Sequence, residues 1–285
     1  LSDMEAFYQK YYVANNMALI LCGKFNEKDV LPLLEKTFGR IHNGPIPQRQ
    51  PINLADFSPE KTIKVKIPFP LIKVSALLFR GPTPRNHDYT ALQIAMRLLS
   101  NSNESGLIDS LVSHHSIMYG MAESEQISMM REVGLIGLAA VPNLPFGSKR
   151  KAERLLWQQI NKLKEGDFST ESFEAAKTEY QKMQEQQLEN LQTRITLMTN
   201  CYLNGMNWND YLHQISMLAT LQKDDVVAAC RHYFNQHYLL LHKKFGKYKK
   251  DKISKPPYKA VETNNGNSQS DYAKALEKTP TPTLT

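Results

Sequence analysis

At 285 residues, with 41% hydrophobic and 22% charged side chains, the chain has the composition of a folded globular protein, one large domain or two modest ones. No apolar run reaches the roughly 18 residues that a membrane-spanning helix needs, and residues 1–12 lack the apolar region of a secretory signal. The net charge of +7 is concentrated in eight lysines from Lys243 to Lys259. They are accompanied only by Phe245, Tyr248 and Tyr258, so the segment reads as a solvated linker rather than a base-stacking platform.

Residues 2–12 open with Ser2 or Asp3 as N-cap and carry an apolar stripe of Met4, Phe7, Tyr8, Tyr11 and Tyr12, which predicts a helix. Asn15-Asn16 turns the chain into a short apolar strand over residues 17–22, ended by Gly23. Asn26 caps a second helix with Val30, Leu33, Leu34 and Phe38 on its core face, and Gly39 stands where a left-handed C-terminal residue belongs. This unit is too small to bury its own faces. Residues 1–45 are therefore expected to close a domain whose remainder lies upstream, and a start at Leu1 without Met fits an excised piece. Residues 46–60 carry Pro47, Pro51 and Pro59 without periodicity and read as an extended connector.

A complete unit is expected over residues 61–245. Residues 62–67 and 72–79 alternate as strands, and Asp88 caps a helix through Leu99. After Gly106 a further helix places Leu107, Leu111 and His114 on one face and Asp109 and Ser110 on the other. At Ser116 the pattern changes to strand, with Ile117, Tyr119 and Met121 on one side and Met118 and Gly120 on the other. Residues 133–141 are near-continuously apolar, as an interior strand would be, and residues 148–163 are helical. One long helix is predicted from Ser169-Thr170 to Tyr202, its stripe including Phe173, Ala176, Tyr180, Leu188, Leu191 and Met198. Gly205 ends it; two further helices, over 208–218 and from Asp224-Asp225 to Phe234, lead into a strand at 238–242. The ending resembles the beginning, since residues 6–25 and 229–245 share a helix with an aromatic pair, a polar turn and an apolar strand, a weak internal repeat. Residues 246–285 read as a Lys-rich polar linker, largely disordered.

Three cysteines, Cys22, Cys201 and Cys230, are odd in number and widely spaced, which argues against a disulfide framework and a Cys-based zinc site. The eight histidines hold no pair at a three-residue gap with an adjoining Glu, the spacing that puts two imidazoles and a general base on one helical face. His114 and His115 are adjacent and would point about 100° apart on a helix, and His232 and His237 stand five apart.

The helix–turn–strand–helix of residues 1–39 and the helix-to-strand segment at 106–123 resemble the insulinase/pitrilysin family of zinc metallopeptidases, with the likeness covering nearly all of residues 1–245. In that family the second segment reads roughly Leu-Arg-x-x-x-x-Leu-Gly-Tyr; the matching positions are Leu111, Val112, Ile117, Met118 and Tyr119. Tyr119 is kept, while Val112 replaces the Arg and Met118 the Gly. The resemblance implies an α+β fold, a mixed, mostly antiparallel sheet with helices packed on one face. It also implies that residues 1–45 end a first domain and residues 61–245 form the second, non-catalytic one. The family's His-x-x-Glu-His helix would lie upstream, so this chain is expected to hold no catalytic, cofactor-binding or metal residue, with zinc in the full-length parent. Tyr119 is the one substrate-chamber candidate. Expected partners are the remainder of the parent peptidase and an unfolded peptide, with a homodimer of the fragment as another outcome; nucleic acid and membrane are not expected. The leading expectation is a non-catalytic domain of a zinc endopeptidase. An inactive partner subunit of the same fold comes second, and a basic nucleic-acid-binding module comes last.

Overall fold

The computed structural model describes residues 2–48, 57, 62–124, 131, 133–247 and 269–278. The chain divides into two compact units, Leu1–Lys247 and Tyr248–Thr285. In the first, the elements run α1 (Ser2–Tyr11), a 3-10 turn (Ala14–Asn16), α2 (Glu27–Phe38), β1 (Ile63–Ile67), β2 (Ser75–Gly81), α3 (Tyr89–Leu99), α4 (Leu107–Ser113) and β3 (Tyr119–Glu123). They continue with β4 (Gly134–Val141), α5 (Lys149–Glu165), α6 (Thr170–Glu189), α7 (Leu191–Asn204), α8 (Trp208–Met217), α9 (Lys223–Tyr233) and β5 (Tyr238–Phe245). In the second unit the described residues form a short helix, α10 (Asp271–Glu277), within a stretch whose sequence showed only a polar linker.

The strands form one sheet in the order β1-β5-β2-β4-β3, with β1 parallel to β5 and every other pair antiparallel. Alternation decides which face is covered. Leu77 and Phe79 of β2 and Ile136 and Leu138 of β4 point to one side and are fully buried. Helices α3, α5 and α9 pack on that side. Leu92, Leu99, Leu156, Ile160 and Phe234 fill the space between the layers. Phe79 meets Phe234 and Trp157 edge-on at centroid distances of 5.1 and 5.6 Å, so aromatic geometry adds to the burial term. Each such side chain contributes about 1.5–3 kcal/mol through burial. The fold is the α+β arrangement that the resemblance implied. The opposite face, with Ala76, Leu78, Ala139, Leu239 and Leu241, is only half-buried.

Several elements differ from the sequence reading. Residues 17–22 form no strand; no described strand lies beside them, and a lone strand leaves its backbone groups unpaired. They are held on α7 instead, where Tyr202 Oη donates to Asn16 O at 3.1 Å and Cys22 Sγ to Met198 Sδ at 3.6 Å. The second copy of the repeat thus forms a strand, β5, and the first does not. Gly39 is right-handed, with φ −60° and ψ −14°, because the α2 ending simply tightens onto Glu35 O. The long helix is two helices: Asn190 leaves helical geometry at ψ 123° and its carboxamide accepts from Thr193 N at 3.0 Å, capping α7. The apolar stripes of α1 and α2 stay exposed, with Met4 at 73% and Leu33 at 59%. Strand β2 begins at Ser75 rather than Ile72, and β5 continues to Phe245. Asp88 makes no side-chain cap to α3.

Lys243 is also not part of a solvated linker. It sits in β5, is buried, and its ammonium donates to Ile72 O at 2.7 Å and to Phe69 O. Lys249, Lys250, Lys252, Lys255 and Lys259, most of the connector 46–60, and most of the tail lie outside the described residues.

Candidate functional site

The segment from Gly106 to Glu123 is anchored by Asp109. Its Oδ2 accepts from Gly106 N at 3.0 Å and Asn101 N at 2.9 Å, and its Oδ1 accepts from Ser100 Oγ at 2.8 Å. One carboxylate therefore ties the end of α3 to the start of α4, a charge-assisted set stronger than neutral hydrogen bonds. Ile108 is the fully buried residue of α4, with Leu107, Leu111 and Val112 packed partly against the core. The chain leaves α4 through a tight turn. His114 Nδ1 lies 2.7 Å from Ser110 O, and His115 takes the left-handed conformation with φ 54°. Ser116 N and Ile117 N both donate to Leu111 O, at 2.8 and 3.2 Å.

This turn rotates Ile117 into the core, 1% exposed, and not onto the face of Tyr119 and Met121 as the alternation predicted. The strand proper begins two residues later, at Tyr119, which pairs with Val141, while Met121 pairs with Ala139. Tyr119 and Met121 point away from the helices, and Tyr119 is 54% exposed. No described residue hydrogen-bonds its hydroxyl. Gly120 faces inward, where an added Cβ would lie 2.4 Å from Ile108 Cγ2 and 2.9 Å from Ile117 Cδ1. The fold therefore requires Gly here, a requirement invisible in a strand pattern that only counts apolar alternation.

The structure does not bring Val112 and Tyr119 to one surface. Val112 serves the core, and Tyr119 sits on the rim of an edge strand. Val112 is apolar and packs partly against the core, so it supplies no cation to stabilise a developing negative charge.

Zinc is the metal that the resemblance implies, and the side chains do not fit it. Among the described residues no group of three or more His, Cys, Asp or Glu is placed to hold a metal ion. His242 is committed to Glu153, and His87 Nε2 lies 2.9 Å from its neighbour Asp88. No described helix is long and apolar enough to cross a membrane.

A five-stranded, mostly antiparallel sheet with helices on one face defines an α+β domain whose sheet leaves its other face half-open. The chain belongs to the peptidase M16 inactive-domain family, the insulinase-like group of zinc proteases, whose family model matches residues 1–180. Solved structures share the fold. A protease from Helicobacter pylori superposes with a TM-score of 0.75 at 19% identity, covering 86% of this chain and 58% of that one. The peptidase M16 inactive domain from Pseudomonas fluorescens gives 0.69 at 14% identity, covering 88% and 58%. The periplasmic protease PqqL from Escherichia coli gives 0.69 at 14% identity, covering 86% and 28%. The chain thus spans little more than half the length of the first two. No curated protein sequence matches it.

Proposed function

We propose that this chain is the non-catalytic domain of a larger zinc-dependent endopeptidase and that it forms chamber wall and structural support around an unfolded peptide. The observation that carries this reading is the match of residues 1–180 to the inactive-domain family. The half-open sheet face supports it, because Leu78, Leu239, Leu241 and Met121 offer apolar contact of the kind an extended peptide or a facing domain would cover. On this reading zinc and the general base belong to an upstream catalytic domain of the parent. The exposed stripes of α1 and α2 then pack against that domain, or against a second copy of the chain when the fragment is alone.

The test is direct. The isolated chain should cleave no unfolded fluorogenic peptide and should retain no stoichiometric zinc after dialysis, while the full-length parent does both. Stoichiometric zinc by elemental analysis, or chelator-sensitive cleavage by the chain alone, would overturn the assignment. A second reading, an inactive partner subunit of the same fold, is favoured by Val112 standing in the core in place of Arg. An upstream sequence without His-x-x-Glu-His would decide for it.

A further inference from the structure

One end of the sheet carries a surface that the chamber reading leaves unused. There β1, β5 and β4 finish and β2 begins. Three segments meet at this end: the β1–β2 loop 68–74, the β4–α5 loop 142–148 and the end of β5. Lys73 Nζ donates to Gly147 O at 2.9 Å and joins the first two loops. The buried Lys243 of β5 donates to Ile72 O at 2.7 Å and to Phe69 O, and Lys149 Nζ donates to Lys243 O at 3.2 Å. These bonds fix the loops, yet the apolar side chains of the loops stay in water. Phe146 is 94% exposed and Leu71 82%, with Phe69, Ile72 and Leu144 exposed beside them. Leu71 also takes the left-handed conformation, φ 68°, which a leucine rarely adopts. A strained backbone that holds a leucine in water gains the core nothing, and marks a contact made with something outside the chain.

Charge says what covers these tips. Residues 62–75, 142–152 and 243–247 each hold three Lys or Arg and no Asp or Glu. The first turn of α5, which starts here, likewise has no acidic residue. No described carboxylate pairs with any of these cations. Lys73, Lys149 and Lys243 donate to backbone carbonyls, which leaves their charge uncancelled. Lys66, Arg150, Lys244 and Lys247 are exposed. A nucleic acid would take the charge but offers nothing to bury Leu71 and Ile72. A protein interface gathers its apolar residues in a core depleted of charge, whereas here cations and apolar tips stand in the same loops. An anionic lipid surface takes both. Apolar tips enter the boundary between headgroups and acyl chains, while Lys and Arg extend apolar stems and keep their charged ends among the headgroups.

We propose that this end of the sheet docks on an anionic lipid bilayer, with Leu71 and Phe146 inserted and Lys66, Arg150, Lys244 and Lys247 against the headgroups. No membrane partner was expected from the sequence, because these side chains lie in three separate segments that only the fold brings together. The docking is peripheral, needs no membrane-spanning helix and does not depend on the peptidase reading. The experiment sediments the full 285-residue chain with vesicles of phosphatidylcholine, alone or with about one-third phosphatidylglycerol. The expected result is binding at least about tenfold stronger to the anionic vesicles, falling as salt rises to about 0.5 M. Leu71→Gly combined with Phe146→Ser should weaken it about tenfold without lowering the thermal midpoint, since both positions are exposed and Gly suits the left-handed backbone. Arg150→Glu combined with Lys244→Glu should weaken it as much, and keeps the test decisive if the loop variant melts early. Sedimentation velocity without lipid tests the other occupant, a second copy of the chain. No binding to anionic vesicles at low salt, equal binding to neutral ones, full binding by either double variant, or a dimer that the loop variant dissolves would each overturn the proposal.

Discussion

Glu153 of α5 and His242 of β5 pair across the helix–sheet interface, and the same carboxylate oxygen accepts from Ser75 Oγ of β2 at 3.1 Å. The two paired side chains are only 16% and 17% exposed, so water cannot readily replace either partner. One carboxylate thus locks a helix to two adjacent strands. Glu153→Ala leaves an imidazole and a buried hydroxyl without an acceptor and should cost about 2 kcal/mol. Glu153→Gln keeps one acceptor and should lose about half as much. Urea unfolding checks both, and midpoints equal to that of the parent chain would show that the pair contributes nothing.

Gly120 is where β3 and α4 pack most tightly against each other. A methyl group there collides with Ile108 and Ile117, both β-branched and held by the core, so neither can swing aside. Gly120→Ala should destabilise the chain by about 1–3 kcal/mol, the range for overpacking a filled interior. A thermal melt within a degree or so of the parent would mean that α4 shifts freely over the sheet.

Much of the sheet layer was legible because buried strands and their covering helices carry their own periodicity: Leu77 and Phe79, Ile136 and Leu138, Leu156 and Ile160 all fall where alternation or helical spacing puts them. What failed was whatever depends on a partner or on one local backbone choice. Residues 17–22 are apolar enough for a strand and have no described neighbour to pair with. Asn190 interrupts a stripe that counts as continuous, because capping competes with helix continuation at a single position. Pro32 sits inside α2 without preventing it. Of the candidate site, Tyr119 was readable as a core or rim aromatic. The inward need for Gly120 and the anchoring carboxylate of Asp109 were not, since both arise from contacts between α4 and its neighbours.

The cysteines should differ sharply in reactivity. Burial pushes the Cys230 thiol up to about 12 and moves Cys201 in the same direction, so neither presents thiolate near neutral pH. Cys22 is half-buried at the surface of α7. An aromatic disulfide reagent at mildly alkaline pH should label Cys22 first and Cys230 only on unfolding. Mass mapping that shows equal rates at all three would contradict the packing.

Alkaline conditions should loosen the α9 layer. Burial, and then the charge of Asp88, raise Tyr233 from 10.0 to about 12, while its hydroxyl donates to Asp88 Oδ2 at 3.2 Å. A folded-state value raised above the unfolded one means that the stabilisation is complete below the unfolded value and is lost as pH rises through the folded one. For Tyr233 the window runs from 10 to 12, and for Cys230 from 9 to 12. The parent chain should therefore lose stability across this range more steeply than Tyr233→Phe, which has no hydroxyl to ionise. Parallel urea midpoints for the two across the window would remove Tyr233 from the account.

Tyr119 offers the sharpest test of how far this domain touches chemistry. Its ring lies at the sheet rim, its hydroxyl is free of described partners, and it could reach a substrate carbonyl in a chamber. The surroundings argue for a passive role. Val112 is turned into the core and carries no charge, so the electrostatic contribution that a cation at that position would supply is missing. Met118, 43% exposed beside Tyr119, puts a long side chain where a glycine would let a substrate backbone approach. Tyr119→Phe in the full-length parent should therefore leave kcat/KM within about twofold, under about 0.5 kcal/mol of barrier. Val112→Arg should not raise it, because the guanidinium would be directed into packed core and would cost stability instead. A loss of about tenfold or more in the Phe variant, with an unchanged thermal melt, would show that the Tyr119 hydroxyl contacts the reacting peptide.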